Sequence, residues 1–218
     1  MSGVDKKQTL RLNSEGEEDI SKAVQLLKEG KIVAVPTETV YGLAADCRNG
    51  SAVEVIYTAK GRPEKKPLSV LVAGMEMVEQ VCKNIPPEAY QLAKAFWPGP
   101  LTMVLESAAV VAENVTAGGD TLGVRCPDHA AALEVIRRLG FPLAAPSANT
   151  SSMPSPKSAS EVLEDLGGKI DACLDGGACT LAIESTIVAL NGGGYTILRQ
   201  GILPAEKIHA ALSGEEGR

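Results

Sequence analysis

The chain has 218 residues, a net charge of −6, 44% hydrophobic residues and only 3% aromatic ones. That length fits one domain with a core of Val, Leu, Ile and Ala. No apolar run reaches the ~18–20 residues of a membrane span, no apolar segment at the N-terminus precedes a small-residue cleavage site, and the acidic balance argues against a general nucleic-acid coat.

Residues 17–29 read as an amphipathic helix, with Ile20, Val24 and Leu27 on one face and Gly30 as its stop. "KIVAVP" is a buried strand. "SAVEVIYTAKG" is a helix with Ser51 as N-cap and Gly61 near its end. "PLSVLVA" is a strand, "MEMVEQVCKN" a helix, and "PPEAYQLAKAFW" a helix with prolines in its first turn. "LTMVLES" and "TLGVRCP" are strands. "DHAAALEVIRRLG" is a helix capped by Asp128, "PLAAPSA" a short strand running into a loop, and "SASEVLEDLG" a helix. "ACLDGG", "STIVAL" and "YTILRQ" are strands, the last two forming a hairpin, and "PAEKIHAAL" is a closing helix. Strands joined by turns alternate with strands joined by helices, which predicts an α/β fold with a mixed sheet. The Ser- and Pro-rich stretch 149–160 is long for a connector and reads as a functional loop.

Several chemistries are missing from the sequence. There is no Walker A loop, no G-x-G-x-x-G after a strand and no G-x-S-x-G elbow, and only His129 and His209 could serve a Ser-His-Asp arrangement. Cys47, Cys82, Cys126, Cys173 and Cys179 lie far apart without a C-x-x-C pair. They read as core thiols of a cytoplasmic protein rather than as a zinc site or disulfide framework.

Polar residues gather instead where strands run into loops. In "VPTETVYGLAAD", Thr37, Thr39 and Tyr41 suit a small polar ligand or form an ordinary polar turn. In "KGRPEKKP", Lys60, Arg62, Lys65 and Lys66 fall within seven residues. They are either a solvated charge run or, with Pro63 stiffening Arg62, one side of a polyphosphate site. Arg125 ends an apolar strand, where a charge needs a partner, and Ser147 and Asn149 follow another as ligand groups or as a structural turn. Ser185 and Thr186 open a strand whose hairpin partner carries Arg199, for which pairing with Glu184 is the structural alternative.

In this order, "VPTETVYGLAAD", "KGRP..KPLSV", "WPGPLTMVL", "VRCPDH", "APSANTS" and "ESTIV" resemble the YrdC/Sua5 family, which comprises the threonylcarbamoyl-AMP synthases. The resemblance covers about residues 17–212, leaving 1–16 as an N-terminal segment and 213–218 as a disordered tail. It implies an open, twisted mixed sheet with helices packed on it and a concave, positively charged cavity. It also implies an activity: L-threonine, bicarbonate or CO2, and ATP give threonylcarbamoyl-AMP and pyrophosphate. A downstream tRNA threonylcarbamoyl transferase complex then modifies adenosine 37 of ANN-decoding tRNAs.

Carried over by position, the resemblance makes Lys60, Arg62, Ser147 and Asn149 the catalytic set. Thr37, Tyr41, Arg125 and Ser185 would hold L-threonine. Lys60, Arg62, Lys66, Thr121, Ala145, Ser147, Asn149, Ser155 and Arg199 would line the ATP site. Mg2+ would ride on the phosphates with no dedicated protein ligands. The chain departs from the N-P-L-x-V-H run of longer members, having Lys66 for the Asn and Leu71 for the His. Ending at Arg218, it is expected to be of the short, single-domain type. Docking of double-stranded RNA or tRNA in the same cavity, and synthesis of another carbamoyl-adenylate by a paralogue, are the alternatives.

Overall fold

A computed structural model describes residues 8–63, 66–191 and 193–214. Numbered along the chain, its strands are β1 (Leu10–Asn13), β2 (Val33–Val35), β3 (Gly42–Asp46), β4 (Ser69–Leu71), β5 (Leu101–Glu106), β6 (Thr121–Arg125), β7 (Leu143–Ala144), β8 (Ala172–Asp175), β9 (Thr186–Leu190) and β10 (Tyr195–Arg199). The helices are α1 (Glu17–Lys28), α2 (Gly50–Lys60), α3 (Met75–Val81), α4 (Pro87–Phe96), α5 (Glu113–Thr116), α6 (Ala130–Leu139), α7 (Ala159–Leu166) and α8 (Ala205–Ser213).

All ten strands join one sheet in the order β1-β8-β2-β3-β7-β4-β6-β5-β9-β10. Parallel pairs such as β4–β6 and β5–β9 alternate with antiparallel ones such as β5–β6 and β3–β7, so the sheet is mixed, as expected. The β9–β10 hairpin forms, with an irregularity between Ile197 and Arg199. Gly61 ends α2 in the left-handed conformation at φ 56°, where a side chain would be strained.

The structure differs from the sequence reading at several points. β1, ahead of residue 17, pairs with β8 and belongs to the sheet. β3 was hidden in a stretch read as a polar turn; all five of its residues are buried, so it shows no alternation. Asn49, not Ser51, caps α2 by accepting from the Ala52 amide at 3.1 Å. His129, not Asp128, occupies the N-cap of α6. The expected "PLAAPSA" strand shortens to the two residues of β7, beyond which Ser147 keeps a single antiparallel bridge to Gly42 of β3. Of the tail, Ser213 and Gly214 close α8, while 215–218 lie outside the described residues.

Two apolar layers sandwich the sheet. The larger takes buried side chains from α2, α4, α7 and α8 and from one face of β4, β5, β6 and β9. The smaller packs α1 and α6 on the opposite face, over β2, β3, β7 and β8, and takes nothing from β5, β6, β9 or β10. That part of the second face forms the floor of a cavity.

Gly201 holds the edge of this floor. A Cβ there would lie 2.3 Å from the Glu184 carbonyl oxygen and 2.5 Å from that of Ser185. Gly201→Ala should therefore push the 184–186 segment out of place. The expected loss is about 1–3 kcal/mol in denaturant unfolding, the usual cost of overpacking, and an unchanged midpoint would contradict the close approach.

Candidate functional site

Strand alternation assembles the site. Val70, Leu101, Met103, Leu122, Val124 and Val188 point into the larger core, and their neighbours Ser69, Leu71, Thr102, Arg125 and Ile187 point into a cavity of about 230 Å3. Gly123 lies between them: a Cβ there would meet Thr102 Cγ2 at 3.4 Å and Ser69 Oγ at 3.5 Å. Ala145 and Ser147 continue the same two-residue period beyond β7 and also line the cavity. Three arginines, Arg62, Arg125 and Arg199, line it, with Glu184 as the one carboxylate in the lining among the described residues.

Arg125 is the buried cation of the group, 6% exposed. Its Nε donates to the Gly99 carbonyl at 3.2 Å and its Nη1 to Thr39 Oγ1 at 2.7 Å. Nη2 lies 2.6 Å from Glu38 Oε1, but off the hydrogen-bond direction, so neither atom has an aligned partner. The other Glu38 oxygen accepts from the Asp128 amide at 3.0 Å. Burial lowers the Arg125 pKa and Glu38 opposes that shift; a guanidinium remains charged in either case. The cation is thus oriented from three sides and keeps donor capacity for an entering carboxylate.

The hydroxyls around it are ordered. Thr37 Oγ1 donates to the Val40 carbonyl at 2.6 Å, so in its 2.9 Å contact with Thr39 the donor is Thr39. Thr39, read from the sequence as suiting a small polar ligand or forming a polar turn, therefore links Thr37 to Arg125. The Tyr41 hydroxyl donates to the Gly177 carbonyl at 2.7 Å and accepts from the Gly176 amide at 3.1 Å, and burial pushes its pKa up. Its ring borders the cavity while its hydroxyl ties down the turn after β8. Ser185 Oγ lies 2.9 Å from Thr102 Oγ1 and accepts from Arg199 Nη2 at 3.3 Å. Arg199 pairs with Glu184 at 2.6 Å, the structural alternative, and lines the cavity as well.

The basic stretch splits into unlike parts. Arg62 lines the cavity, donates to the Pro67 carbonyl at 3.1 Å and has no carboxylate partner among the described residues. Burial lowers its pKa. Lys66 is exposed and outside the cavity lining; its carbonyl accepts from the Tyr57 hydroxyl at 2.8 Å. Glu64 and Lys65 lie outside the described residues.

Lys60 departs most from expectation. It is 1% exposed, and its Nζ donates to the carbonyls of Ser147 and, at 2.5 Å, Asn149. It therefore pins the loop that carries the Ser147 wall rather than facing the cavity. Burial, and then the Arg62 charge, lower its pKa to about 8.

Asn149 is buried beside Lys60 and donates to the Thr150 and Met153 carbonyls at 2.9 and 2.6 Å. Ser155 Oγ donates to Glu184 Oε1 at 2.8 Å on the rim. Thr121 is exposed at the far end of β6, on the Arg125 face but four residues, roughly 13 Å, away. Leu71 occupies the cavity wall where the longer family pattern has a histidine.

Glu38, Thr102 and Ser69 were missed as site residues. Polar residues alternating with Val and Leu in "PLSVLVA" and "LTMVLES" were the available signal for Ser69 and Thr102. Four of the cysteines are buried and Cys179 partly so, all free, in keeping with core thiols. Among the described residues no helix is long and apolar enough to cross a membrane and no group of three His, Cys, Asp or Glu could hold a metal.

Lys60→Met keeps the side-chain length but leaves two buried carbonyls without their donor, at about 1–3 kcal/mol each. Denaturant unfolding should show that loss. Folded Lys60 titrates near 8 against an ordinary value of 10.5, so between those pH values the unfolded chain holds more protons. The parent's stability from this group therefore rises with pH across that window, and the deficit of Lys60→Met should widen.

A family model for Sua5, YciO and YrdC, described as "Telomere recombination", matches residues 25–201. A threonylcarbamoyl-AMP synthase of Pyrococcus abyssi is 48% identical over 190 residues, covering 87% of this chain and 56% of that protein. One of Bacillus subtilis is 43% identical over 200 residues, covering 91% and 58%. The crystal structure of P. abyssi Sua5 complexed with L-threonine superposes with a TM-score of 0.90 at 45% identity, covering 94% of this chain and 60% of that one. The chain thus spans somewhat more than half the length of these relatives, and the matched region runs through every candidate site residue from Thr37 to Arg199. The chain belongs to the Sua5/YciO/YrdC family.

Proposed function

We propose that the chain is a threonylcarbamoyl-AMP synthase, joining L-threonine, bicarbonate or CO2, and ATP into threonylcarbamoyl-adenylate with release of pyrophosphate. One observation carries the reading: a single cavity contains two arginines of different character. Arg125 is buried, held by Glu38, Thr39 and Gly99, and keeps donor capacity suited to a small carboxylate. Arg62 has no carboxylate partner among the described residues and suits a polyphosphate. The L-threonine complex of P. abyssi Sua5 and the names of the relatives support the pairing of an amino acid with an adenylate.

The chemistry matches this set of residues. The threonine amine adds to CO2 and loses a proton, giving a carbamate. A carbamate oxygen then attacks the α-phosphorus, and the bond to the bridging oxygen of pyrophosphate breaks. No covalent intermediate on the protein is needed. The walls must hold the reactants in line and offset phosphate charge. Arg125 would fix the threonine carboxylate, and Ser185 and Thr102 lie beside it. Arg62 and the Ser147 wall would hold the triphosphate, with Arg199 at the nucleotide edge. Mg2+ enters as its ATP complex. Glu184, the one carboxylate in the lining among the described residues, is already paired with Arg199, so phosphate oxygens and water would supply most of the metal's ligands. The product would pass to a tRNA threonylcarbamoyl transferase complex in the cytoplasm.

Pyrophosphate release by the purified chain should require both L-threonine and bicarbonate; turnover of ATP that ignores threonine would defeat the proposal. Arg62→Ala should lower kcat/KM for ATP by about 10- to 150-fold, the range for one hydrogen-bonded charge, while L-threonine affinity stays the same.

A further inference from the structure

The segment 147–151 forms the wall that presents Ser147 to the cavity, and its anchors are unusually specific. The Ala148 amide donates to the Tyr41 carbonyl at 2.8 Å and the Ser151 amide to the Lys60 carbonyl at 2.7 Å. The Lys60 ammonium takes the carbonyls of Ser147 and Asn149. Thr150, between them, gives both its donors to one side chain: its amide to Asp165 Oδ2 at 2.6 Å and its hydroxyl to Asp165 Oδ1 at 2.5 Å. Asp165 lies on α7, is not in the cavity lining, and uses its own carbonyl to accept from Lys169 at 3.1 Å.

We infer that Asp165 is a positioning residue for the Ser147 wall, acting through its two-pronged hold on Thr150; this rests on the nucleotide-binding role given to that wall above. The physical need comes from Lys60. An ammonium that is 1% exposed requires opposite charge nearby as well as acceptors, and the carbonyls around it supply only acceptors. Asp165 is the carboxylate whose charge supports the protonated lysine, against burial and Arg62. Burial works against ionised Asp165, but the Thr150 hydroxyl and amide, with Lys169 and Lys60, hold its pKa below the usual carboxylate range. Thr150 thus has two functions. It brings Asp165 and Lys60 into one electrostatic unit, and its anchored amide fixes the 149–150 peptide plane so that the Asn149 carbonyl turns toward the ammonium, which also holds the Ser147 carbonyl. The Ser147 side chain is left facing the cavity as a consequence. Asp165 and Thr150 are both half-buried, and the core contacts of α7 come from Ala159, Val162 and Leu166. Substitution at either position therefore leaves the core of the fold in place.

The test uses Asp165→Ala and Thr150→Val, with Thr150→Ser as the conservative variant that keeps both donors. Calorimetry with a non-hydrolysable ATP analogue should show roughly ten-fold weaker binding for the first two, the loss of about one charge-assisted hydrogen bond. Thr150→Ser should bind as the parent does. L-threonine, held around Arg125, should bind unchanged in all three. Two measurements need no nucleotide: NMR titration of Lys60 Nζ should give a lower pKa in Asp165→Ala than in the parent, and the Ser151 amide should exchange faster. ATP-analogue binding at parental strength in both disruptive variants, or equal losses for ATP analogue and threonine, would overturn the assignment. If the parent itself binds no ATP analogue, the proposed function fails instead. An unmoved Lys60 titration with unchanged Ser151 exchange would then overturn the positioning role separately.

Discussion

Arg125 carries a full charge at the end of a central strand with only 6% of its surface exposed. A guanidinium so placed must be met by groups within the fold. They come from two distant parts of the chain: Glu38 and Thr39 from the turn after β2, and Gly99 from the turn before β5. The Arg125 charge therefore dictates where two loops go, and through Asp128, whose amide donates to Glu38, it also sets how the chain enters α6. The contact with Glu38 is close but misaligned. The same arrangement that makes the cation tolerable leaves it able to accept another carboxylate.

Lys60 and Arg62, two residues apart, answer the same electrostatic problem in opposite ways. Lys60 turns inward and is surrounded by carbonyl oxygens, with the charge of Asp165 beyond them. Arg62 remains at the cavity without a counter-charge among the described residues. One holds the wall and the other presents charge to whatever occupies the space. This division explains why an acidic chain concentrates cations in one short stretch, and why they need not share a role. It also shifts attention from Lys66, which stands where the longer family pattern has Asn, to the loop that Lys60 and Asp165 hold.

Much of this was legible in the sequence. The mixed sheet followed from turns and helices alternating between strands. The closing hairpin followed from two strand patterns joined by a short turn, and Arg125, Arg199, Ser147 and Arg62 stood out as polar residues at the ends of strands or of a helix, with structural readings open until the resemblance gave them roles. β3 was not legible, because a strand buried on both faces has no alternating pattern to distinguish it from the turn before it. The inward turn of Lys60 was equally hidden, since a lysine at a helix C-terminus is normally solvated and favourable to the dipole. Glu38 between two threonines gave no local sign that its partner was an arginine 87 positions away. Ser69 and Thr102 were readable but passed over, being single polar residues within strands taken whole as core. What sequence conveyed poorly, in each case, was a pairing across large chain separation, which only the sheet order reveals.

The account depends most on one cavity receiving both an amino acid and a nucleoside triphosphate. A crystal structure of the chain with L-threonine and a non-hydrolysable ATP analogue tests that directly. The account predicts the threonine carboxylate within hydrogen-bonding distance of Arg125 and the phosphates against Arg62 and the Ser147 wall, with Lys60 still bound to the loop carbonyls. Ligands in separate places, or a threonine carboxylate turned away from Arg125, would contradict it.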